Sequence, residues 1–228
     1  MELYQGMTIV DLGLVYKDNL IIGDLQLGYE EYVAKQGILL PRFQFADIKE
    51  RLTNILKKVT IKNLIINGDI KHEFGAISEQ EWRDVLGIID AVNKDITIIF
   101  VKGNHDLVLG PIARKRGVQL VDYYQLDDIT ILHGDKILPN LSKTLIIGHE
   151  HPAITFKERR DEKYKCFLKG TWKGHTLIVM PSFTNLHIGT DIRNKHHLSP
   201  FLQEDLGSFD VYIAEDKPYF FGKIKNIE

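Results

Sequence analysis

The sequence predicts an α/β fold, and three observations carry that prediction. Five short apolar runs each stop at a polar stretch containing Gly and then Asp, Asn or His. The first three runs are separated by connections of helical length, which points to right-handed βαβ crossovers and parallel neighbours. After Pro152 the pattern changes to short strands divided by Gly, Pro and Asp-Lys turns, as in a second, mostly antiparallel sheet. A chain of 228 residues suffices for one domain with a full core, and residues 1–228 are read as that single domain. No repeat, low-complexity segment or linker interrupts it.

Residues 7–24 predict a hairpin. Thr8-Ile9-Val10 and residues 12–16 are strand-like, Lys17-Asp18-Asn19 is turn chemistry, and Leu20-Ile21-Ile22 is a second run that stops at Gly23-Asp24-Leu25-Gln26. Residues 28–36 predict a short helix, broken over 37–41. In residues 45–59 the apolar positions Phe45, Ile48, Leu52, Ile55, Leu56 and Val59 have helical spacing, which predicts an amphipathic helix packed on the core. Leu64-Ile65-Ile66 is a buried strand followed by Asn67-Gly68-Asp69. Ser78 with Glu81 forms a capping box, and its helix should reach about Val92. Residues 96–101 form the third strand and end in Lys102-Gly103-Asn104-His105-Asp106. Residues 109–116 predict a short helix stopped by Gly117. Strands at 129–132 and 144–147 end in His133-Gly134-Asp135 and Gly148-His149-Glu150-His151. Further strands are expected at 166–168, 175–180, 211–214 and 219–224. The charged stretch 157–165 and the polar, His-rich stretch 185–199 are expected to be loops.

The formal net charge of −2 excludes bulk attraction to nucleic acid or to an anionic membrane, while leaving room for a local basic patch. Cys166 is the sole cysteine, so no intrachain disulfide forms and a reducing compartment fits. It is expected to be a buried small hydrophobe. No apolar run reaches transmembrane length and the N-terminus lacks a signal-peptide core, so a cytoplasmic location without a membrane partner is expected.

Asp24, Asp69, Asn104, His133, His149 and His151 stand at the strand ends. They are oxygen and nitrogen donors without a thiolate, a set that suits Mn²⁺, Fe²⁺ or Zn²⁺ and not a Cys-type structural zinc. Six donors exceed the need of one catalytic metal and suit two metals sharing a carboxylate. In an extended segment residues i and i+2 point the same way, so His149 and His151 are expected to face one cavity. Each residue alone has a blander reading: a strand-end Asp after Gly is commonly a turn or cap residue. The ordered set is what points to metal.

Gly23-Asp24-x-Gln26, Gly68-Asp69, Gly103-Asn104-His105-Asp106, His133-Gly134 and Gly148-His149-x-His151 together resemble the motif set of the calcineurin-like metallophosphoesterases. The stretches Asp24-Leu-Gln-Leu-Gly-Tyr-Glu30, Asn67-Gly-Asp-Ile-Lys-His-Glu-Phe74 and Met180-Pro-Ser-Phe183 are similar to a narrower group: archaeal phosphoesterases related to repair nucleases, and bacterial ligase-associated phosphodiesterases. The resemblance implies a four-layer α/β/β/α sandwich, two mixed sheets flanked by helices. It implies that Asp69 bridges two divalent ions, Mn²⁺ first and Fe²⁺, Ni²⁺ or Zn²⁺ as other occupants. The first ion takes Asp24, His151 and, where it ligates, Gln26; the second takes Asn104, His133 and His149. A hydroxide bridging the ions would attack phosphorus in line. His105 would be the general acid or a donor to the phosphoryl oxygen, with Asp106 orienting and charging it.

Gln26 departs from the family pattern, which has histidine there. Either its neutral side-chain oxygen ligates, making the first site weaker and harder, or water fills the position. Both outcomes predict strong dependence on added metal, with Mn²⁺ best. The implied activity is a metal-dependent phosphodiesterase acting on a small molecule, a cyclic nucleotide or a short nucleic acid. The alternatives are a nuclease of the repair type, a monoesterase and a non-catalytic scaffold. Against a processive nuclease stands the non-basic charge. Against a scaffold stands the survival of His105, Asp106 and the donor set. Homo-oligomers are common among such proteins. Of the remaining histidines, His72 is read as a substrate contact or a loop hydrogen bond and His175 as structural. His187, His196 and His197 are expected at the surface. Tyr29, Glu30 and Arg42 lie near the mouth of the first motif without an assigned role.

Overall fold

The computed structural model describes residues 1–156, 159–194, 196–214 and 217–227, with the side chains of 159–161 outside that description. The chain opens as an antiparallel meander of β1 (Glu2–Tyr4), β2 (Met7–Val10), β3 (Gly13–Tyr16) and β4 (Asn19–Gly23). Helices α1 (Tyr29–Lys35) and α2 (Gln44–Leu56) lead to β5 (Asn63–Asn67), α3 (Glu79–Ala91) to β6 (Thr97–Val101), and α4 (Gly110–Arg116) to β7 (Gln119–Val121). Strands β4, β5, β6 and β7 are successive parallel neighbours, as the helical connections require. Ser78 caps α3 with Glu81 in the reciprocal box.

The second sheet contains β8 (Tyr124–Leu126), β9 (Ile129–Ile131), β10 (Thr144–Ile147), β11 (Pro152–Phe156), β12 (Arg159–Trp172), β13 (His175–Val179), β14 (Thr190–Asp191), β15 (Asp210–Ile213) and β16 (Tyr219–Lys223). Its order is β14-β11-β12-β13-β10-β9-β8, with β15 also on β12 and β16 beyond it. The β9-β10-β13 centre is parallel and β12 pairs antiparallel with its neighbours, so the sheet is mixed. The fourth and fifth apolar runs therefore belong to this sheet and not to the first.

Residue alternation decides the layers, because successive side chains leave a strand on opposite faces. Ile21, Ile65 and Ile99 meet Ile131, Ile146, Phe167 and Ile178 between the sheets. Leu20, Ile22, Leu64, Ile66 and Phe100 face outward onto Ile48, Leu52 and Ile55 of α2 and Val85 and Ile88 of α3. On the other side Leu145, Ile147, Leu168 and Val179 pack under Phe201, Leu202, Leu206 and Phe209. This outer layer is thin, a 3-10 turn at Pro200–Leu202 with its flanking chain.

One expected loop is a strand. From residue 159 onward the charged stretch belongs to β12, with Ala153 opposite Lys165, Ile154 opposite Tyr164 and Thr155 opposite Lys163. Residues 157 and 158 lie outside the described residues. Hairpin pairing with the preceding β11 stabilises this strand against its weak local propensity, and Glu162 and Lys163 remain exposed. The described residues of 185–199 form a loop apart from β14, with residue 195 outside the described residues. No helix among the described residues is long and apolar enough to cross a membrane.

Candidate metal centre

The chain turns at the carboxyl ends of β4, β5, β6, β9 and β10 converge where the two sheets meet, the usual place for a site in such a fold. Asn67 Nδ2, at the end of β5, donates to Leu132 O just beyond β9 at 2.9 Å and ties the sheets together there.

Asp69, His133 and His149 offer ligand atoms that all lie within 4.8 Å of one another and could hold a metal ion. His133 Nε2 lies 3.0 Å from Asn104 Oδ1, 3.0 Å from His149 Nδ1 and 3.3 Å from Asp69 Oδ1. A second group adjoins it. Asp24 Oδ1 is 3.2 Å from His151 Nε2 and 3.7 Å from His133 Nδ1. Asp69 faces both ways: Oδ2 accepts from Gln26 Nε2 at 2.9 Å and lies 3.6 Å from His105 Nε2. All six strand-end donors read from the sequence are thus brought together.

The backbone is bent to achieve this. Asp24, Gln26, Asp69, His149 and His151 all have φ between 44° and 65°, a left-handed conformation uncommon outside glycine. Such residues cost about 1–3 kcal/mol each and persist where the surroundings over-determine them. Here Asp24 N donates to Gly68 O at 3.0 Å, Gln26 N to Asp69 O at 2.9 Å, and His149 N to Asp24 Oδ2 at 3.2 Å. The motif glycines make room. A Cβ at Gly103 would run into the Asp69 carboxylate, and one at Gly148 into that of Asp24. His149 and His151 therefore reach the cavity by left-handed turns and not from an extended segment, which corrects the expected geometry.

The electrostatics fit a divalent cation. Burial alone would lower the His133 pKa and raise that of Asp69, but their hydrogen bond and opposite charges prevail. His133 is held above the ordinary imidazole value and Asp69 below the ordinary carboxylate value. Burial and the His133 charge hold His149 below the ordinary imidazole value, favouring the neutral form that a metal requires. His133 Nδ1 and His151 Nε2 are buried without a hydrogen bond, although each faces Asp24. Three imidazoles and two carboxylates share this space, and no lysine or arginine among the described residues contacts them. An oxygen- and nitrogen-liganded cation suits such a set.

Gln26 takes an orientation that the sequence left open. Its amine faces Asp69, and its oxygen lies 2.6 Å from His72 Nδ1. Asp106 does not meet the His105 ring as expected. Its buried carboxylate accepts Gly103 N at 2.9 Å, Ile70 N at 3.1 Å and Lys71 N at 3.3 Å, joining two site loops. Burial and the Asp69 charge raise it to about 7 against those donors. The partner of His105 Nδ1 is the His72 carbonyl, and Phe74 packs on the ring at 3.7 Å.

His187 is not the surface residue expected. It stacks on His72 at 5.7 Å, meets Tyr29 edge-on at 4.5 Å and lies 6.4 Å from the His151 ring. Phe183 N bonds Gly23 O and Thr190 N bonds His151 O, drawing the intervening chain over the site. Nothing in the local sequence signals this. His197 is also covered, with Nδ1 at 3.3 Å from Glu150 Oε1, whereas His196 is exposed. His175 bonds Ser142 O at 2.7 Å and Cys166 is buried, both as expected. Glu30 is buried and accepts from Phe43 N, Gln44 N and Gln80 Nε2, a structural task.

Two stacked sheets whose strand ends pool carboxylates, imidazoles and an amide in one cluster suit a metal-dependent hydrolase of phosphoesters. The sequence matches the calcineurin-like phosphoesterase family over residues 20–213, and the chain belongs to that family. The fold is similar to the crystal structure of Pseudomonas putida nuclease MPE, with a TM-score of 0.69 at 18% identity, covering 92% of each chain. A comparison with curated protein sequences finds no match.

Proposed function

We propose that this protein is a phosphodiesterase working with two divalent ions that share Asp69. The two-sided environment of that carboxylate carries the reading, with Oδ1 toward His133 and Oδ2 toward Gln26 and His105. Asn104, His133 and His149 would hold one ion with Asp69, and Asp24 and His151 the other. Gln26 acts as a donor to Asp69 and water completes the first site. Bound ions lower the pKa of a water held between them and neutralise the phosphoryl oxygens. The donor set, three oxygen ligands of which Asn104 is a neutral amide and three imidazoles without a thiolate, accommodates Mn²⁺.

The remaining work belongs to the protein. His105 Nδ1–H donates to the His72 carbonyl, which fixes the tautomer and leaves Nε2 to hold and release a proton. In the imidazolium form Nε2–H gives that proton to the leaving oxygen. Asp106 keeps the turn carrying Asn104 and His105 registered on the loop carrying Asp69. A diester is preferred over a monoester, because the second negative charge of a monoester finds no lysine or arginine among the described residues in contact with the donor cluster. A cytoplasmic location accords with a free thiol at Cys166.

The test is a panel assayed with Mn²⁺: an aryl phosphodiester, its monoester, a 2′,3′-cyclic nucleotide, and single-stranded and duplex DNA. Diester turnover above monoester turnover supports the proposal, with His105→Ala depressing hydrolysis of the cyclic nucleotide and DNA, whose leaving groups need a proton, far more than that of the aryl diester. A monoester preference, or metal binding without any turnover, refutes it.

A further inference from the structure

A lysine-lined groove leads away from the metal centre. Its inner end is formed by His151, His187, Leu186, Gly189 and Lys163. Its outer end is a cavity of about 320 Å³ lined by Lys163, Lys165, Arg51, Lys58, Asn185 and Asp11 among others. Lys163 and Ile188 line both, so the two recesses adjoin. Four cationic side chains thus face a single carboxylate, Asp11, and that carboxylate is already paired with Arg51. Among the described residues Lys58 and Lys163 are exposed and have no carboxylate partner, and the Lys163 ammonium donates to Gly189 O at 3.4 Å. The Lys165 ammonium is enclosed and donates to Ser182 O and Oγ at 2.6 Å and to Thr184 O. Burial and the neighbouring Arg51 charge push it down to about 7, which marks a recess short of negative charge. This concentration of positive charge stands on a chain whose formal net charge is −2.

We propose that this groove holds the phosphates flanking the scissile bond of a nucleic-acid strand, which makes the natural substrate a single-stranded oligonucleotide. The inference rests on the phosphodiesterase reading and names its substrate class. One phosphodiester lies at the metal centre and the next phosphates lie along Lys163 and Lys58. Lysine ammonium groups recognise phosphates as point charges without regard to base, so the groove carries affinity and little sequence preference. A recess of about 320 Å³ matches a single backbone better than the breadth of a duplex.

The experiment compares the wild type with Lys58→Ala/Lys163→Ala and Lys58→Glu/Lys163→Glu. Both positions are exposed, so folding is not at stake. Binding of a fluorescein-labelled thymidine octamer is read by anisotropy in EDTA over a salt series. Hydrolysis of the octamer and of an aryl phosphodiester is read with Mn²⁺. Aryl diester turnover is expected to stay within about twofold, and the octamer KM to rise about tenfold or more. The slope of log affinity against log salt should shrink by about 1.4, for two phosphate contacts at about 0.7 each. Unchanged octamer binding and turnover in both variants would overturn the proposal. So would competition by inorganic phosphate or thymidine monophosphate as strong as that of unlabelled octamer, which would make the groove a small-anion site. Wild-type protein that binds the octamer through these lysines but hydrolyses no diester refutes the phosphodiesterase reading and leaves the groove standing.

Discussion

The side-chain amide of Gln26 stands between Asp69 and His72, donating from Nε2 to Asp69 Oδ2 at 2.9 Å and holding Oε1 at 2.6 Å from His72 Nδ1. A carboxylate oxygen only accepts, so the amine must face Asp69 and the oxygen must face away. This orientation makes Gln26 a support for Asp69. Gln26→Met keeps the length and removes both polar atoms. Its two-ion stoichiometry should survive at saturating Mn²⁺, with affinity falling about 10–100-fold, as when a ligand loses a supporting hydrogen bond. Elemental analysis across a Mn²⁺ titration measures both. Outright loss of one ion would identify Gln26 as a ligand.

His105 is held by the His72 carbonyl on one nitrogen and approaches Asp69 with the other. Loss of a general acid typically costs about 10²–10⁴ in rate. For His105→Ala the loss should be large for an alkyl diester and small for a nitrophenyl diester, whose leaving group needs no proton. Equal losses on the two substrates would place His105 in substrate binding instead.

Burial, aided by His105 in one case and His151 in the other, lowers His72 and His187 each to about 4. In the unfolded chain both titrate near 6.5. Between pH 6.5 and 4 the unfolded state therefore binds more protons, and stability falls as pH drops through that window. Urea midpoints at pH 7, 5.5 and 4.5 should decline, and His187→Gln should decline less. An identical decline in the variant would contradict the assignment.

Lys71 and Glu81 are fully buried with Nζ and Oε1 3.9 Å apart, and Glu81 also accepts His72 N at 3.0 Å, Glu73 N and Ser78 N. One α3 residue thus positions the loop bearing His72. Glu81→Ala leaves a buried ammonium uncompensated and should cost about 3–5 kcal/mol in chemical unfolding. A loss below about 1 kcal/mol, the level of an exposed pair, would show the ammonium to be satisfied without Glu81.

Apolar runs such as Leu20-Ile21-Ile22 and Leu64-Ile65-Ile66 were legible as strands because their length and flanking glycines leave few alternatives. The donor set was legible for the same reason, since each donor follows directly from a strand end. Which sheet β9 and β10 join was not legible: buried parallel strands look alike whichever neighbour they pair with. Lys163 and Lys165 read as loop residues because a run of charges hides the alternation of a strand, whereas β12 is stabilised by hairpin pairing with the preceding β11. Asp106 shows a third limit. Sequence adjacency to His105 suggested side-chain contact, whereas the turn points its carboxylate into three backbone amides. His187 was out of reach because only the path of the chain after Phe183 brings it over the site.

The most direct test is the number of ions that activity requires. Metal-free protein is titrated with Mn²⁺ while bound metal and aryl phosphodiester turnover are followed together, with Asp69→Ala in parallel. Two ions per chain, turnover rising with the second, and loss of both features in Asp69→Ala is the predicted result. Full turnover with one ion per chain, or turnover that persists in EDTA, would contradict it.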